Sequence, residues 1–291
     1  MANPFGPDGD AAYLHWREAK LAAAPRSADE LIVEVRDPSA LSAAEHEALM
    51  QRIRRCNMAI YAGPAHAEDT GIPRLLGGRF GLERLDANWL ADEDGISEIR
   101  VSTGGTHKHY IPYTDRAIKW HTDGYYNPPE RTIRAMVLHC VRSAAHGGEN
   151  RLMDHEMAWL LLRDANPEHV RALMQPDAMV IPERVDETDG VRPAQGGPVF
   201  SLDGSGKLHM RYTARTRSIE WKPDAATQAA VAALEYLLAS DLPHIFHARL
   251  EPGMGLLCNN VLHDRAAFSD EPASPRLLYR ARYLERIAGM A

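Results

Sequence analysis

The segment Arg276-Leu277-Leu278-Tyr279-Arg280-Ala281-Arg282-Tyr283-Leu284 constrains the fold more than any other stretch of the chain. It has the apolar and aromatic content of a β-strand. In a strand, successive side chains point to opposite faces. Arg276, Leu278, Arg280 and Arg282 therefore share one face. Three guanidinium groups on a buried face are costly unless anions meet them. Either this face is solvated, as charged side chains usually are, or it lines a site that receives anions.

A second stretch bears on that choice. Trp120-His121-Thr122-Asp123-Gly124 follows Ala117-Ile118-Lys119, which reads as extended. Strand alternation sets His121 and Asp123 on one face and Thr122 on the other. An imidazole and a carboxylate so placed can hold adjacent positions on a metal. Sites of the 2-His-1-carboxylate type need one further histidine and leave positions open for reactants. H-x-D alone recurs by chance in chains of this size, and taken by themselves His121 and Asp123 read as a satisfied histidine and a turn acid. His107-Lys108-His109 competes with it, because cupin-type barrels use H-x-H on a strand. Those barrels place a glutamate shortly afterwards, whereas residues 110–114 carry none and the next acid is Asp115. His107 and His109 thus read as pocket lining or surface. His139 reads as a buried, hydrogen-bonded histidine.

Composition excludes several classes. The 291 residues are 45% hydrophobic and 25% charged, ordinary for a globular protein. A net charge of −7 argues against nucleic acid or an anionic membrane as partner. No apolar run approaches the ~18 residues of a spanning helix, and the first residues lack a signal-peptide pattern. Cys56, Cys140 and Cys258 are widely spaced with no C-x-x-C, so reduced thiols and a cytoplasmic location are expected.

Along the chain, helices are expected at 10–23, after the capping-box pattern Ser42–Glu45, at 155–162, 167–174 and 224–240. Residues 72–88 read as mostly helical with breaks at Gly77-Gly78. Strands are expected at 58–61, 96–102, 131–141, 245–250 and 256–259. A hairpin is expected around Asp203-Gly204-Ser205-Gly206. The polar, Gly- and Pro-marked residues 183–197 read as a long loop.

The order of these parts carries a resemblance. H-x-D, a β-rich middle, Gly253-x-x-Leu256-Leu257-x-Asn259-Asn260, His263 and then Arg276 follow one another as in the taurine dioxygenase (TauD/TfdA-like) group of iron(II)/2-oxoglutarate-dependent oxygenases. The chain resembles that group over residues 100–286. Within it the chain looks closest to the glutarate hydroxylase-like branch, on Pro198-Val199-Phe200, Met210-Arg211-Tyr212 and His263-x-Arg265-x-x-Phe268.

The resemblance implies an α+β, β-rich fold with a double-stranded β-helix (jelly-roll) core and flanking helices. It implies one catalytic domain over 1–291, with residues 1–100 a helix and strand scaffold and 101–291 the core with helical insertions. It implies His121, Asp123 and His263 as iron(II) ligands and Arg276 as the grip on the far carboxylate of 2-oxoglutarate, a task suited to a guanidinium fork. Asn150 stands where the family often has a threonine after Gly147-Gly148-Glu149, and its amide can still donate to 2-oxoglutarate. Arg280 matches a position that holds the substrate's anionic group, and Arg282 could take either duty. Tyr125 and Tyr126 line the substrate pocket or are loop aromatics. Related halogenases lack the carboxylate ligand; Asp123 is present, so hydroxylation of an unactivated C–H is expected, with release of succinate and carbon dioxide. The substrate is expected to be small and anionic: a carboxylate, sulfonate or amino acid. Dioxygen is the other reactant, and a homo-oligomer is left open. The competing readings are a non-catalytic barrel that binds a small anion, and a cupin-type oxygenase using His107 and His109.

Overall fold

The computed structural model describes residues 3–6, 10–65, 67–86, 95–102, 104, 110–186, 190–215 and 219–289. The H-x-H pair His107 and His109 lies outside them. The chain opens with α1 (Asp10–Ala23), β1 (Ile32–Glu34), α2 (Ala43–Cys56), β2 (Met58–Ala62), α3 (Gly71–Arg79) and β3 (Ile96–Ile99). Helix α2 starts where the sequence announces it. Ser42 Oγ accepts from the Glu45 N–H, and the Glu45 carboxylate accepts from the Ser42 N–H. Two of the N–H groups that a helix start leaves orphaned are thereby satisfied.

The middle of the chain contains β4 (Ile118–His121), β5 (Ala135–Arg142), β6 (His146–Gly147), β7 (Asn150–Met153), α4 (His155–Ala165) and α5 (Pro167–Leu173). Four short strands follow: β8 (Met179–Ile181), β9 (Arg184–Asp186), β10 (Gly190–Arg192) and β11 (Gln195–Gly197). Next come β12 (Phe200–Leu202), β13 (Leu208–Met210), β14 (Glu220–Trp221) and α6 (Ala225–Ala239). The chain closes with β15 (Phe246–Ala248), β16 (Met254–Cys258), β17 (Leu262–Arg265), β18 (Phe268–Ser269) and β19 (Leu277–Tyr283). No described helix is long and apolar enough to cross a membrane.

Two sheets organise these elements. The larger has the order β1-β2-β16-β5-β19-β3, and the smaller β15-β7-β17-β4. Leu152 of β7 and Phe246 of β15 pack in one cluster with Met136 and Cys140 of β5, Leu256 of β16 and Leu278 of β19. The sheets therefore face each other across a shared core. On the far side of the larger sheet, Tyr61, Val137, Leu257 and Tyr279 pack against Leu49 and Ile53 of α2 and Leu76 of α3. On the far side of the smaller sheet, Trp120, Met153 and Leu262 pack with helices α4, α5 and α6 around the fully buried Trp159. The result is a mixed α and β architecture with helices outside and sheets within.

Alternation along β19 holds. Tyr279, Ala281 and Tyr283 belong to the outer, helix-covered cluster. Leu278 faces the core between the sheets, and Arg280 and Arg282 share its side. The arginine face is interior: Arg276 and Arg282 are only 5% and 4% exposed.

Two expectations are corrected. Helix α3 runs through Gly77-Gly78 and ends at Arg79, and residues 80–86 are not helical. Gly77 is a packing glycine, since a Cβ there would lie 2.4 Å from Tyr283 Oη. Residues 183–197 are not a continuous loop. β9 and β10 pair as an antiparallel ribbon, and β11 joins β8. Strands of three residues are too short to show a period of two against a polar background.

Gly255 shows how tightly the larger sheet closes. A Cβ at this position would fall 2.2 Å from Tyr61 Oη and 2.4 Å from the Leu138 carbonyl oxygen. Tyr61 cannot retreat easily, because it is fully buried and its hydroxyl lies 2.9 Å from His139 Nδ1. Gly255→Ala is expected to destabilise the fold by about 1–3 kcal/mol, the usual cost of overpacking. Urea unfolding measures this; an unchanged midpoint would refute the packing account.

Candidate metal centre

His121 closes β4 and His263 lies in β17. The two are register partners in the antiparallel pairing of these strands. Cross-strand pairing thus makes neighbours of residues remote in sequence, with ring centroids 4.2 Å apart. In each ring Nδ1 lies 2.9 Å from a backbone carbonyl, that of Lys119 for His121 and of Val261 for His263. A carbonyl only accepts, so Nδ1 carries the proton and Nε2 keeps its lone pair. Both Nε2 atoms face Asp123, at 3.6 and 4.0 Å from Oδ1. One donor atom from each residue lies within 4.8 Å of the other two.

Asp123 reaches this position differently from the expectation of an unbroken strand. β4 ends at His121, and Asp123 sits in the following turn. Thr122 does point away, where its hydroxyl accepts from the Tyr212 N–H at 3.1 Å. Gly124 takes φ +68°, and a Cβ there would lie 2.3 Å from Ile133 Cγ1. Asn260 holds the turn. Its Oδ1 accepts from the Asp123 N–H at 2.8 Å, and its Nδ2 donates to the carbonyls of Asp123 at 2.9 Å and Ile133 at 2.7 Å.

The electrostatics suit a cation. Burial pushes the His263 imidazole down to about 4, and His121 adds to the effect. Burial alone would raise the Asp123 carboxyl. Arg280, with Nη1 at 3.3 Å from Oδ1 and 3.2 Å from Oδ2, leads a set completed by His121, Arg282 and His263 that together outweighs burial and holds Asp123 well below the usual carboxylate range. His263 is thereby neutral and Asp123 ionised. Oδ2 of Asp123 is buried without a hydrogen bond, because Arg280 Nη1 approaches it off the bonding direction. Two imidazole nitrogens and a carboxylate oxygen, converging with lone pairs free, fit iron(II) with open coordination positions.

The arginines diverge. Arg280 turns to Asp123. Arg282 donates to the Tyr126 hydroxyl and to Asp86 Oδ2, both at 3.0 Å; Asp86 also receives Arg131. Both ends of the Arg282 fork are therefore occupied. Arg276 lies 5.0 Å above the Phe268 ring, and its Nη1 is buried without a partner. It lines a small cavity with Gly147, Gly148, Asn150 and Arg249. Burial pushes Arg276 down to about 10. Asn150 donates from Nδ2 to the Asp264 carbonyl at 2.7 Å. Tyr125 is half-buried in the loop after Asp123; its carbonyl accepts from Arg211 Nε at 2.8 Å and its ring meets Tyr126 edge-on.

Sequence reasoning missed Asn260 and Asp86. Asn260 had a signal, the Asn259-Asn260 pair ending a strand just before His263. Asp86 had none.

The lowered pKa of His263 has a consequence for stability. An unfolded histidine protonates near 6.5, whereas His263 stays neutral in the fold to about pH 4. Between these values the unfolded chain binds more protons, so stability falls as pH falls through that window. The full effect is on the order of 3 kcal/mol. Urea titrations of metal-free protein should therefore fall less steeply below pH 6.5 for His263→Asn than for the wild type; parallel profiles would refute the assignment.

Comparison with known proteins adds to this geometry. The profile of the family described as "Taurine catabolism dioxygenase TauD, TfdA family" matches residues 22–282. A uridine-5'-phosphate dioxygenase of Amycolatopsis sp is 30% identical over 276 residues, covering 88% of this chain and 97% of that protein. A uridine-5'-phosphate dioxygenase of Streptomyces sp is 33% identical over 196 residues, covering 65% of this chain and 70% of that protein. Among solved structures, the non-heme iron oxygenase OrfP with Fe, succinate and (3S)-hydroxy-L-Arg superposes with a TM-score of 0.61 at 16% identity, covering 95% of this chain and 92% of that one. Asparagine oxygenase with Fe(II), 3-hydroxyasparagine and succinate gives a TM-score of 0.57 at 15% identity, covering 92% and 91%. At such identity the structural likeness concerns the fold.

Proposed function

The chain belongs to the taurine catabolism dioxygenase TauD, TfdA family, and we propose that His121, Asp123 and His263 are the ligands of its iron(II). It is a non-haem iron(II)/2-oxoglutarate-dependent dioxygenase. The observation that carries the ligand assignment is the pair of Nε2 lone pairs aimed at Asp123, each fixed by its own carbonyl. Iron(II), when bound, supplies the dioxygen chemistry that couples decarboxylation of 2-oxoglutarate to hydroxylation of a C–H bond.

The protein's part is binding, orientation and charge. Arg276 takes the far carboxylate of 2-oxoglutarate: it is buried, its Nη1 lacks a partner, and it faces a cavity bordered by glycines. Asn150 spends one amide hydrogen on Asp264 and offers the second to the co-substrate. Arg280 keeps Asp123 ionised and has a further donor, Nε, buried without a partner; that donor serves an anionic group of the substrate. Arg282, left open between co-substrate and substrate duty, acts on the substrate side by positioning Tyr126 through its hydroxyl. Tyr125 lines the loop that covers the substrate. The two facing sheets are read as the double-stranded β-helix of one catalytic domain, with residues 1–100 as scaffold. The three cysteines are buried and unpaired, in keeping with a cytoplasmic enzyme.

For the substrate we carry over the class named by the two curated relatives, a phosphorylated pyrimidine nucleoside. It is small and anionic, as the arginine-bearing interior requires.

Anaerobic protein with iron(II) and 2-oxoglutarate is expected to show a weak visible charge-transfer band. His121→Ala and His263→Ala should abolish it; persistence in both would exclude this triad. Arg276→Ala should raise the 2-oxoglutarate needed for half-maximal band by about 10–100-fold, the effect of losing one charge-assisted pair, while iron binding in equilibrium dialysis stays near wild type.

A further inference from the structure

The pairing around His263 is irregular on both sides of its strand. Toward β4, His263 faces His121, but two residues on Arg265 faces Ile118, so the register shifts across Asp264. Toward β7, the ladder runs from Leu262–Met153 to His263–Leu152 and stops there. A bulge beside a functional site re-aims a side chain, and a one-residue slip of a strand turns every side chain to the other face. The backbone ladder alone does not guard β17 against such a slip at the residue that follows His263.

Side chains take over at this point. The Asp264 carboxylate replaces the missing rung toward β7. Its Oδ1 accepts from the Arg151 backbone N–H at 2.8 Å, and its Oδ2 accepts from Arg151 Nε at 2.8 Å and Nη2 at 2.5 Å. The Asp264 carbonyl accepts from Asn150 Nδ2 at 2.7 Å. Three donors of one arginine on one carboxylate fix direction as well as distance.

Strand alternation puts this pair on the outer face of the smaller sheet, behind the imidazoles. Trp120 precedes His121, Asp264 follows His263, and Arg151 spans the two, with its guanidinium 4.9 Å above the Trp120 ring. Trp120 donates from Nε1 to the Leu238 carbonyl of α6 at 3.0 Å. Strands β7, β17 and β4 and a covering helix are thereby joined in one row, at the back of the two histidines. The Arg151 side chain is 38% exposed, and ion pairs that reach water contribute little to overall stability. The place of this one gives it a geometric task.

We propose that Arg151 and Asp264 are positioning residues of the iron centre: from the back of the sheet their pair locks the bulge in the register that aims His263 Nε2, beside His121 Nε2, at Asp123, and it holds the Asn150 amide through the Asp264 carbonyl. Neither residue touches the metal. The inference rests on the ligand assignment above. Partners that orient the ligands from outside ordinarily control metal affinity.

The test is anaerobic equilibrium dialysis of the full chain against iron(II), with the visible band in 2-oxoglutarate and urea unfolding of the metal-free protein measured beside it. Arg151→Gln and Asp264→Asn are each expected to weaken iron(II) binding by about 10–100-fold and to shift the band, under conditions where the protein is folded. Arg151→Lys, which keeps the charge and loses the fork, should recover part of the affinity. A pair that only stabilised the sheet would lower the urea midpoint and leave iron affinity and band unchanged in the folded protein; that result overturns the proposal. If Arg151→Gln gives no cooperative transition, Asp264→Asn and Arg151→Lys carry the same comparison. His121→Ala separates the two readings. Should it bind iron(II) as wild type does, the triad is wrong and this proposal falls with it. Should it abolish binding while the outer-face variants bind as wild type, the triad stands and the positioning role alone is wrong.

Discussion

The side-chain amide of Asn260 joins two parts of the chain that must meet before any metal can bind. Three hydrogen bonds fasten the turn containing Asp123, and the start of the segment leading to β5, to the corner between β16 and β17. An amide is suited to this task because it donates and accepts from one planar group. An apolar replacement would strand a buried N–H and two carbonyls, each at roughly 1–3 kcal/mol. The corner itself needs a left-handed residue, and Asn260 adopts φ 51°. Its neighbour Asn259 faces the other way, donating to Asn57 Oδ1 at 3.1 Å and accepting from the Ile287 N–H. Asn57 donates in turn to Asp154 at the start of α4. The asparagine pair thus couples the candidate metal centre to the scaffold on both sides of the core.

The interior arginines show how one strand face is divided among separate tasks. All three project between the sheets, where an unmatched charge is costly. Arg282 is matched permanently by Asp86. Arg280 is matched by Asp123, the carboxylate that makes the site selective for a cation. Arg276 forms no ion pair among the described residues, feels Asp270 only at longer range and keeps an unpartnered nitrogen, which is the basis for proposing that it receives the carboxylate of 2-oxoglutarate. Charge complementarity is completed by short ion pairs toward the Arg282 end of β19, and the proposed role of Arg276 rests on the lack of such a pair among the described residues at the other end.

Much of this was legible locally. The capping box of α2, the hairpin about Gly204 and the alternation of β19 depend on residues close in sequence, and they appear where local patterns place them. Gly77-Gly78 misled because glycine is an average helix breaker, and only the approach of Tyr283 shows that its small size is used for packing. The β9–β10 ribbon was invisible because three-residue strands have no measurable period. The turn at Asp123 is not legible in H-x-D, because nothing in those residues states that Asn260 will interrupt the ladder.

By itself the sequence determined the donor types, the sharing of one strand face by the arginines and the order of motifs that marks the family, because residue identity and strand alternation are local properties. Tertiary structure alone decided that His121 and His263 are cross-strand partners, since antiparallel register is set by long-range packing. It also decided which arginine is spent on Asp86, which on Asp123 and which is left open. The physical reason is that a guanidinium's role depends on the nearest anion, and in this fold those anions come from distant segments: Asp86 precedes β3, and Asp123 follows β4.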